Sequence, residues 1–495
     1  MNQGPLPEDQ YVAARRAKLA RLRAAGVDPF PAHFHRTHST AEVHACFDRL
    51  QASGEPVTVA GRVVRLRIMG KASFAVIRDG ADDLQLYLSR DHLGDGPYAL
   101  FKETVDLGDF IGARGPVFLT RTQEQTVEVH SWTMLAKALR PPPEKWHGLT
   151  DVEARMRRRY LDLMSNVEVR ELLQKRSAIV REVRRFLDER GFIEVETPAL
   201  QPLHGGATAR PFVTYHNALD RQLYLRISLE LYLKRLLIGG FDKVYEIGRV
   251  FRNEGIDRTH NPEFTLLESY EAYADYQDVM RLVEELIYTV AQRALGTSRI
   301  TVRGQEIELA PPWPRRTLRE AIQEATGVDY ATHPTLESLH AAVLAAGLHV
   351  EPQKTRGKLI DQLLETYVAP AIGRPTFLID YPAEISPLAK LKPGSTDTVE
   401  RFEAFGGFGI ELANAFTELN DPDDQYRRFL DQVRQAQAGD EEAHAMDLDF
   451  LEALQHGMPP AGGLGIGIDR LVMFLLDAPN LREVIYFPAL RDAAD

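Results

Sequence analysis

The 495-residue chain has one cysteine, Cys46, so an intramolecular disulfide framework is excluded. No CxxC or paired Cys/His spacing points to structural zinc. No run of about 20 apolar residues is present, which argues against a membrane-spanning helix. The first residues, MNQGPLPEDQ, carry no apolar h-region, and a cytosolic protein is expected. A surplus of positive charge is also lacking. The net charge is −12, which opposes whole-molecule attraction to nucleic acid and leaves only local patches. YVAARRAKLARLRAAG (11–26) and RMRRRY (155–160) are the candidates, and each taken alone reads better as a solvated helix face.

Familiar nucleotide signatures fail as well. MGKAS (69–73) has Arg65 where a Walker A loop needs glycine, and Ala72 where it needs Ser or Thr. AGGLGIGIDR (461–470) looks like a dinucleotide fingerprint, but 28 residues after Gly467 cannot supply the βαβ unit. No Ser-His-Asp order or nucleophile elbow supports acyl-enzyme chemistry. There are no internal repeats.

What is present is an ordinary globular composition, 44% hydrophobic and 26% charged, long enough for roughly three domains at about 150 residues each. Residues 1–55 read as a helical extension broken by DPFPAHF. Residues 56–139 carry VTVAGRVVRLR, KASFAVIRD, DDLQLYLSR, DFIGARGPVFLTR and QTVEVHSWTML, with one helix, GPYALFKETVDLG, after the third strand. That order is expected of an OB barrel, which binds single strands by stacking bases on aromatics. Arg65, Phe74 and Gln85 are the candidate contacts, although Phe74 could equally be barrel core. RPPPEKWHG opens a linker over 140–155. Residues 156–495 then read as one α+β domain. In it, Val169, Leu172, Ile179, Val183 and Phe186 recur at helical spacing before Gly191.

The chemistry is concentrated in strand-like segments. Phe264, Leu266, Glu268 and Tyr270 alternate onto one face, placing an acid between apolar neighbours. A buried carboxylate needs a cationic or hydrogen-bonding partner, either an internal arginine or a ligand. ELANAFTELND repeats the pattern with Leu412, Asn414, Phe416 and Glu418. Two such acids suggest a pocket for a cation. Glu230, after Ser228 at a helix start, is a third acid, though the helix dipole alone would explain it. FRNEGIDRTHNPEF (251–264) reads as a polyphosphate clamp. Arg252 can grip phosphate oxygens bidentately, Phe264 can stack a purine, and Arg470 can supply a second plane. Glu403 and Glu411 offer hard oxygen ligands for Mg²⁺.

At these residues the chain resembles the lysyl-tRNA synthetases, in the class II family that also holds the aspartyl and asparaginyl enzymes. GFIEVETPAL, with Pro198, resembles motif 1, the dimer-forming element. FRNEGIDRTHNPEFTLLESY resembles motif 2, and GLGIGIDRLVMFL resembles motif 3. HGGATARPFVTYHNALD, LYLKRLLIGGF and YPAEISPLAK are similar to segments of the lysine enzyme. The resemblance implies an antiparallel catalytic sheet flanked by helices, an OB anticodon domain and a homodimer. It also implies ATP-dependent attachment of lysine to lysine tRNA through a lysyl-adenylate. ATP contacts fall on Arg252, Glu254, His260, Asn261, Phe264 and Arg470, with Arg252 and Arg470 catalytic. Lysine contacts fall on Gly206, Glu230, Glu268, Tyr270, Asn414 and Glu418, and metal ligands on Glu403 and Glu411. Three departures stand out: Ser228-Leu229 where relatives have Ala-Pro, ANAF for GNGF, and one extra residue between Glu403 and Glu411. Two rivals follow from this reading: a class II relative that lysylates a protein, and a silent OB protein that binds nucleic acid.

Overall fold

The structure is a computed structural model that describes residues 10–80, 82–143, 151–437 and 445–491. Residues 144–150 of the expected linker lie outside the described residues. The chain divides into two compact units, Met1–Val167 and Glu168–Asp495.

The first unit is built on seven strands: β1 (Val57–Ile68), β2 (Ala72–Asp79), β3 (Asp82–Ser89), β4 (Phe110–Gly115), β5 (Val117–Leu119), β6 (Gln125–Val129) and β7 (Ser131–Ala136). They form one sheet in the order β5-β6-β3-β2-β1-β4-β7. Five strands were expected. The fourth divides into β4 and β5 around Pro116, which has no N–H to donate, and the fifth divides around His130. The expected helix is a short turn, Arg90–Leu93, then Asp95–Thr104, with Gly94 at φ +81° between them. Inward residues such as Ile77, Leu86 and Val127 are fully buried, and Leu22, Val43 and Leu50 of the N-terminal helices join the same core. The basic N-terminal stretch is partly committed to this packing. Arg15 donates to the carbonyls of Ala138 and Leu107, and Lys18 pairs with Asp106 at 2.6 Å. In the second basic stretch, Arg155 and Arg159 both pair with buried Asp162.

The second unit opens with the amphipathic helix Val167–Asp188, which buries Val169, Ile179, Val183 and Phe186 as its spacing predicts. Its strands are β8 (Ile193–Glu194), β9 (Leu200–Gln201), β10 (Val213–His216), β11 (Arg221–Leu225), β12 (Lys243–Phe251), β13 (Glu263–Ala272), β14 (Arg299–Val302), β15 (Gln305–Glu308), β16 (Arg315–Thr317), β17 (Thr376–Pro382), β18 (Thr398–Gly407), β19 (Ile410–Thr417) and β20 (Ala461–Gly467). Eight form the main sheet, ordered β16-β17-β18-β19-β20-β13-β12-β8. Its six inner strands are antiparallel, and only the edges β16 and β8 pair parallel. Helices pack against it because its inner strands present buried apolar side chains to them. Leu267 meets the core of Val283, Ile287 and Phe474 on one side. Leu266 and Tyr270 meet Leu229, Leu233 and Leu237 on the other. No helix among the described residues is long and apolar enough to cross a membrane.

Candidate active site

Strand register builds the site. Glu403 lies opposite Asn414, Asn414 opposite Gly465, Gly465 opposite Glu268, and Glu268 opposite Glu246, so four polar residues and one glycine share a single row across five strands. The next row aligns Arg401, Phe416, Gly463 and Tyr270. Alternation therefore puts Gly463, Gly465 and Gly467 of β20 on one face, between the side chains of β13 and β19. They form the floor of a groove. A Cβ on Gly463 would stand 1.7 Å from Glu418 Oε1 and 2.6 Å from Tyr270 Cε1. A Cβ on Gly465 would meet nothing closer than 3.6 Å, so the floor is open there. The segment that failed as a dinucleotide fingerprint is this floor.

One end of the groove is acidic and dry. Glu230, Glu268 and Glu418 are 6%, 5% and 0% exposed, around Lys234, which is also 0% exposed. Lys234 Nζ donates to Glu230 Oε1 at 2.6 Å and pairs with Glu418 Oε2. Glu418 Oε1 is buried and has no hydrogen-bond partner. Glu268 Oε1 accepts from Ser228 Oγ at 2.9 Å and from the Leu229 N–H at 3.0 Å, and its Oε2 accepts from Tyr270 OH at 3.0 Å. The internal arginine that could have claimed Glu268 is Arg226, but it pairs with the cross-strand neighbour Glu246 at 2.6 Å. Burial, then the like charge of Glu230, pushes the Glu268 carboxyl up to about 7. Burial raises Glu230 and Glu418 too. Desolvation opposes the charge on Lys234, but Glu230 and Glu418 outweigh it and raise its pKa, so it stays an ammonium. One lysine thus stands among three carboxyls.

Gly206, at φ +84°, comes close enough that a Cβ would meet Ser228 Oγ at 2.6 Å. Beside it a cavity of about 280 Å³ opens, lined in part by Leu203, Gly205, Ser228 and Arg235, next to the groove rather than in it.

The other end carries the arginines. Arg252 follows β12, donates to the Ile227 carbonyl at 3.3 Å, and holds its guanidinium 5.1 Å from the centre of the Phe264 ring. Glu254 is exposed two residues on. Arg470 is the third residue of the helix Ile468–Leu475; it pairs with Glu411 at 2.7 Å and meets His260 Nε2 at 3.2 Å. The preceding Asp469 fixes that helix, accepting from the Thr265 N–H at 2.8 Å and pairing with Arg176 at 2.6 Å. Asn261 is tied into the surrounding backbone. It is buried, and its amide bonds the Glu263 carbonyl and the Ala489 N–H.

Parity on β19 holds for Asn414, Phe416 and Glu418 but not for Leu412, which packs with Ala413 and Ala415 in the opposite core. Register shifts flank Phe405, and the β18–β19 turn runs through Gly407, Phe408 and Gly409 at positive φ. With these bulges in place Glu403 lies opposite Asn414. Glu403 pairs with Arg401 at 2.7 Å. Burial and the charges of Glu411 and Asp361 push its carboxyl up to about 7, and Asp361 itself is raised by burial to about 6. Glu365 joins this acidic group beside Glu411.

In the first unit, strand register sets Arg65, Val76, Gln85 and Thr126 in one row and Arg67, Phe74, Tyr87 and Glu128 in the next. Phe74 lies outside the barrel core and packs on Tyr87, ring centres 5.2 Å apart. Gln85 donates to Thr126 Oγ1 at 3.0 Å, and Arg65 is exposed.

An antiparallel sheet with a glycine-floored groove, arginines at one end and acids at the other, defines a class II synthetase. The family model described as "tRNA synthetases class II (D, K and N)" matches residues 151–491, and "OB-fold nucleic acid binding domain" matches 57–135. The chain is 54% identical over 484 residues to the lysine–tRNA ligase of Moorella thermoacetica, covering 98% of both chains. It is 55% identical to that of Roseiflexus castenholzii, over 96% of this chain and 98% of the relative, and 51% identical to that of Enterococcus faecalis, over 98% of both. The chain belongs to this class II tRNA synthetase family, within its lysine–tRNA ligase branch.

Proposed function

We propose that the chain joins L-lysine to the 3′ end of lysine tRNA by way of lysyl-adenylate, with ATP as the energy source. The buried, unpartnered Glu418 Oε1 at the acid end of the groove carries this reading. An incoming ammonium would satisfy it, with Glu268 and the Tyr270 hydroxyl beside it. An aspartate or asparagine side chain would leave the acid group unrelieved.

With the amine so placed, the amino acid's carboxylate is directed along the glycine floor toward Arg252. There it attacks the α-phosphate and pyrophosphate leaves. No protein nucleophile is required. Arg252 and Arg470 orient the triphosphate and offset the charge that develops in transfer, while Phe264 stacks the adenine. Glu411 and Glu403 suit Mg²⁺, because their carboxylates are crowded by Asp361 and Glu365 and a hard cation relieves like charge. When bound there, Mg²⁺ would neutralise phosphate charge. The Arg470–Glu411 pair would then open as each partner takes its ligand.

The barrel face formed by Arg65, Phe74 and Gln85 favours a tRNA acceptor over a protein, with the anticodon stacked on Phe74. Exposed Leu200, Val213 and Tyr215 on the sheet of β9, β10 and β11, near Pro198, suit a homodimer interface. The setting proposed is the cytoplasm. Amino-acid-dependent pyrophosphate exchange across the twenty amino acids tests the function. Exchange with lysine alone supports it, and faster exchange with aspartate or asparagine refutes it.

A further inference from the structure

On the barrel of the first unit, His92, Glu128 and His130 each present one ligand atom, all within 4.8 Å of one another. His92 Nδ1 lies 3.0 Å from Glu128 Oε1, and His130 Nε2 lies 4.0 Å from Glu128 Oε2. The two imidazole rings are 5.5 Å apart. Glu128 lies in β6 and His130 in the bend just after it, before β7 begins. Their N–H groups donate to the carbonyls of Pro116 and Arg114, both at 2.8 Å. His92 sits in the one-turn helix Arg90–Leu93, its N–H bonded to Ser89 Oγ at 3.2 Å.

We propose that these three side chains form a site for one divalent transition-metal ion of the zinc class. Two imidazoles and a carboxylate match the donor set such ions take with three protein ligands, leaving a further position for water. An ordinary surface ion pair between His92 and Glu128 would not need His130, whose ring nevertheless closes the cluster. The site also ends the row Arg67, Phe74, Tyr87 and Glu128, with the His92 ring 6.4 Å from Tyr87. A bound ion therefore ties the His92 turn to β6 and adds positive charge beside the proposed anticodon face.

The test is titration of the chelator-stripped, full-length protein with Co²⁺, followed by its visible absorption and by calorimetry, with Mg²⁺ in excess to fill the oxygen-only acids. Wild type should take up one Co²⁺ with nitrogen-ligand absorption, displaced by Zn²⁺. His92→Asn and His130→Asn should each weaken it by about tenfold to a hundredfold or more. Both variants should keep lysine-dependent pyrophosphate exchange and the wild-type circular dichroism and thermal transition, the latter two showing that the barrel still folds. Glu128→Gln serves as a third variant where either histidine change unfolds the barrel. No Co²⁺ uptake by wild type, or uptake that persists in His130→Asn, overturns the proposal.

Discussion

At one end of the β20 groove, Glu230, Glu268 and Glu418 surround a buried Lys234; at the other, Arg252, Glu411, Arg470 and His260 stay partly in water. The two ends share a strand and differ in solvation. In the dry end, a charge without a counter-charge is expensive, so on the proposed reading this end selects an amine. In the wet end, the Arg470–Glu411 pair leaves its side chains 29% and 34% exposed. A pair of that kind contributes only about 0–1 kcal/mol, so a triphosphate and its metal can replace it. The proposed function assigns selection to the buried end and grip to the open one.

The comparison can be broken in graded ways. Arg252→Ala should have the largest effect. It should lower lysine-dependent pyrophosphate exchange about a thousandfold, mostly in kcat, because it removes charge stabilisation at the reacting phosphate. Gly463→Ala tests the other end. The added Cβ collides with Glu418 Oε1, so the KM for lysine should rise about a hundredfold while the KM for ATP holds. An equal rise in both would show that the two ends are not separable. Phe74→Ala should weaken tRNA charging about tenfold through KM for tRNA, and leave pyrophosphate exchange intact. Equal loss of both activities would make Phe74 structural.

The smallest expected effect is linked to protons. Glu268 sits near 7, so close to neutral pH part of the population holds a proton there. A bound ammonium favours the carboxylate, lowers that pKa and releases the proton. Lysine binding should therefore release a fraction of a proton at pH 7, seen by calorimetry in two buffers of different ionisation enthalpy. Affinity should rise from pH 6 to 8. For folding the sign is opposite to that of a salt-bridged acid. A raised carboxyl stabilises the fold most below its unfolded value of 4.5, and the benefit is lost as pH rises through about 7.

Much of the site was legible as strand parity. Phe264, Glu268 and Tyr270 do share a face, and so do Asn414, Phe416 and Glu418. Parity failed at Leu412 because a bulge is a register event, invisible in one strand alone. The role of AGGLGIG was likewise hidden. Its glycines matter only once β20 lies between β13 and β19, strands distant in the chain. Lys234 could have been found as the i+4 partner of Glu230 in ELYLK, a spacing that pairs charges on any helix. Arg401 could likewise have been found two residues before Glu403 on β18, where alternation puts both on one face. Asp361 gave no such signal, since a helix outside the sheet brings it to Glu403. In the barrel, alternation marked the strands well, whereas Pro116 alone announced that one of them divides.

The most direct test is a crystal structure with L-lysine bound. The lysine ε-ammonium should lie within hydrogen-bond reach of Glu418 Oε1 and beside Glu268, with its carboxylate toward Arg252. Lysine seated elsewhere, with Glu418 and Glu268 satisfied wholly by Lys234, Ser228 and Tyr270, would contradict the account.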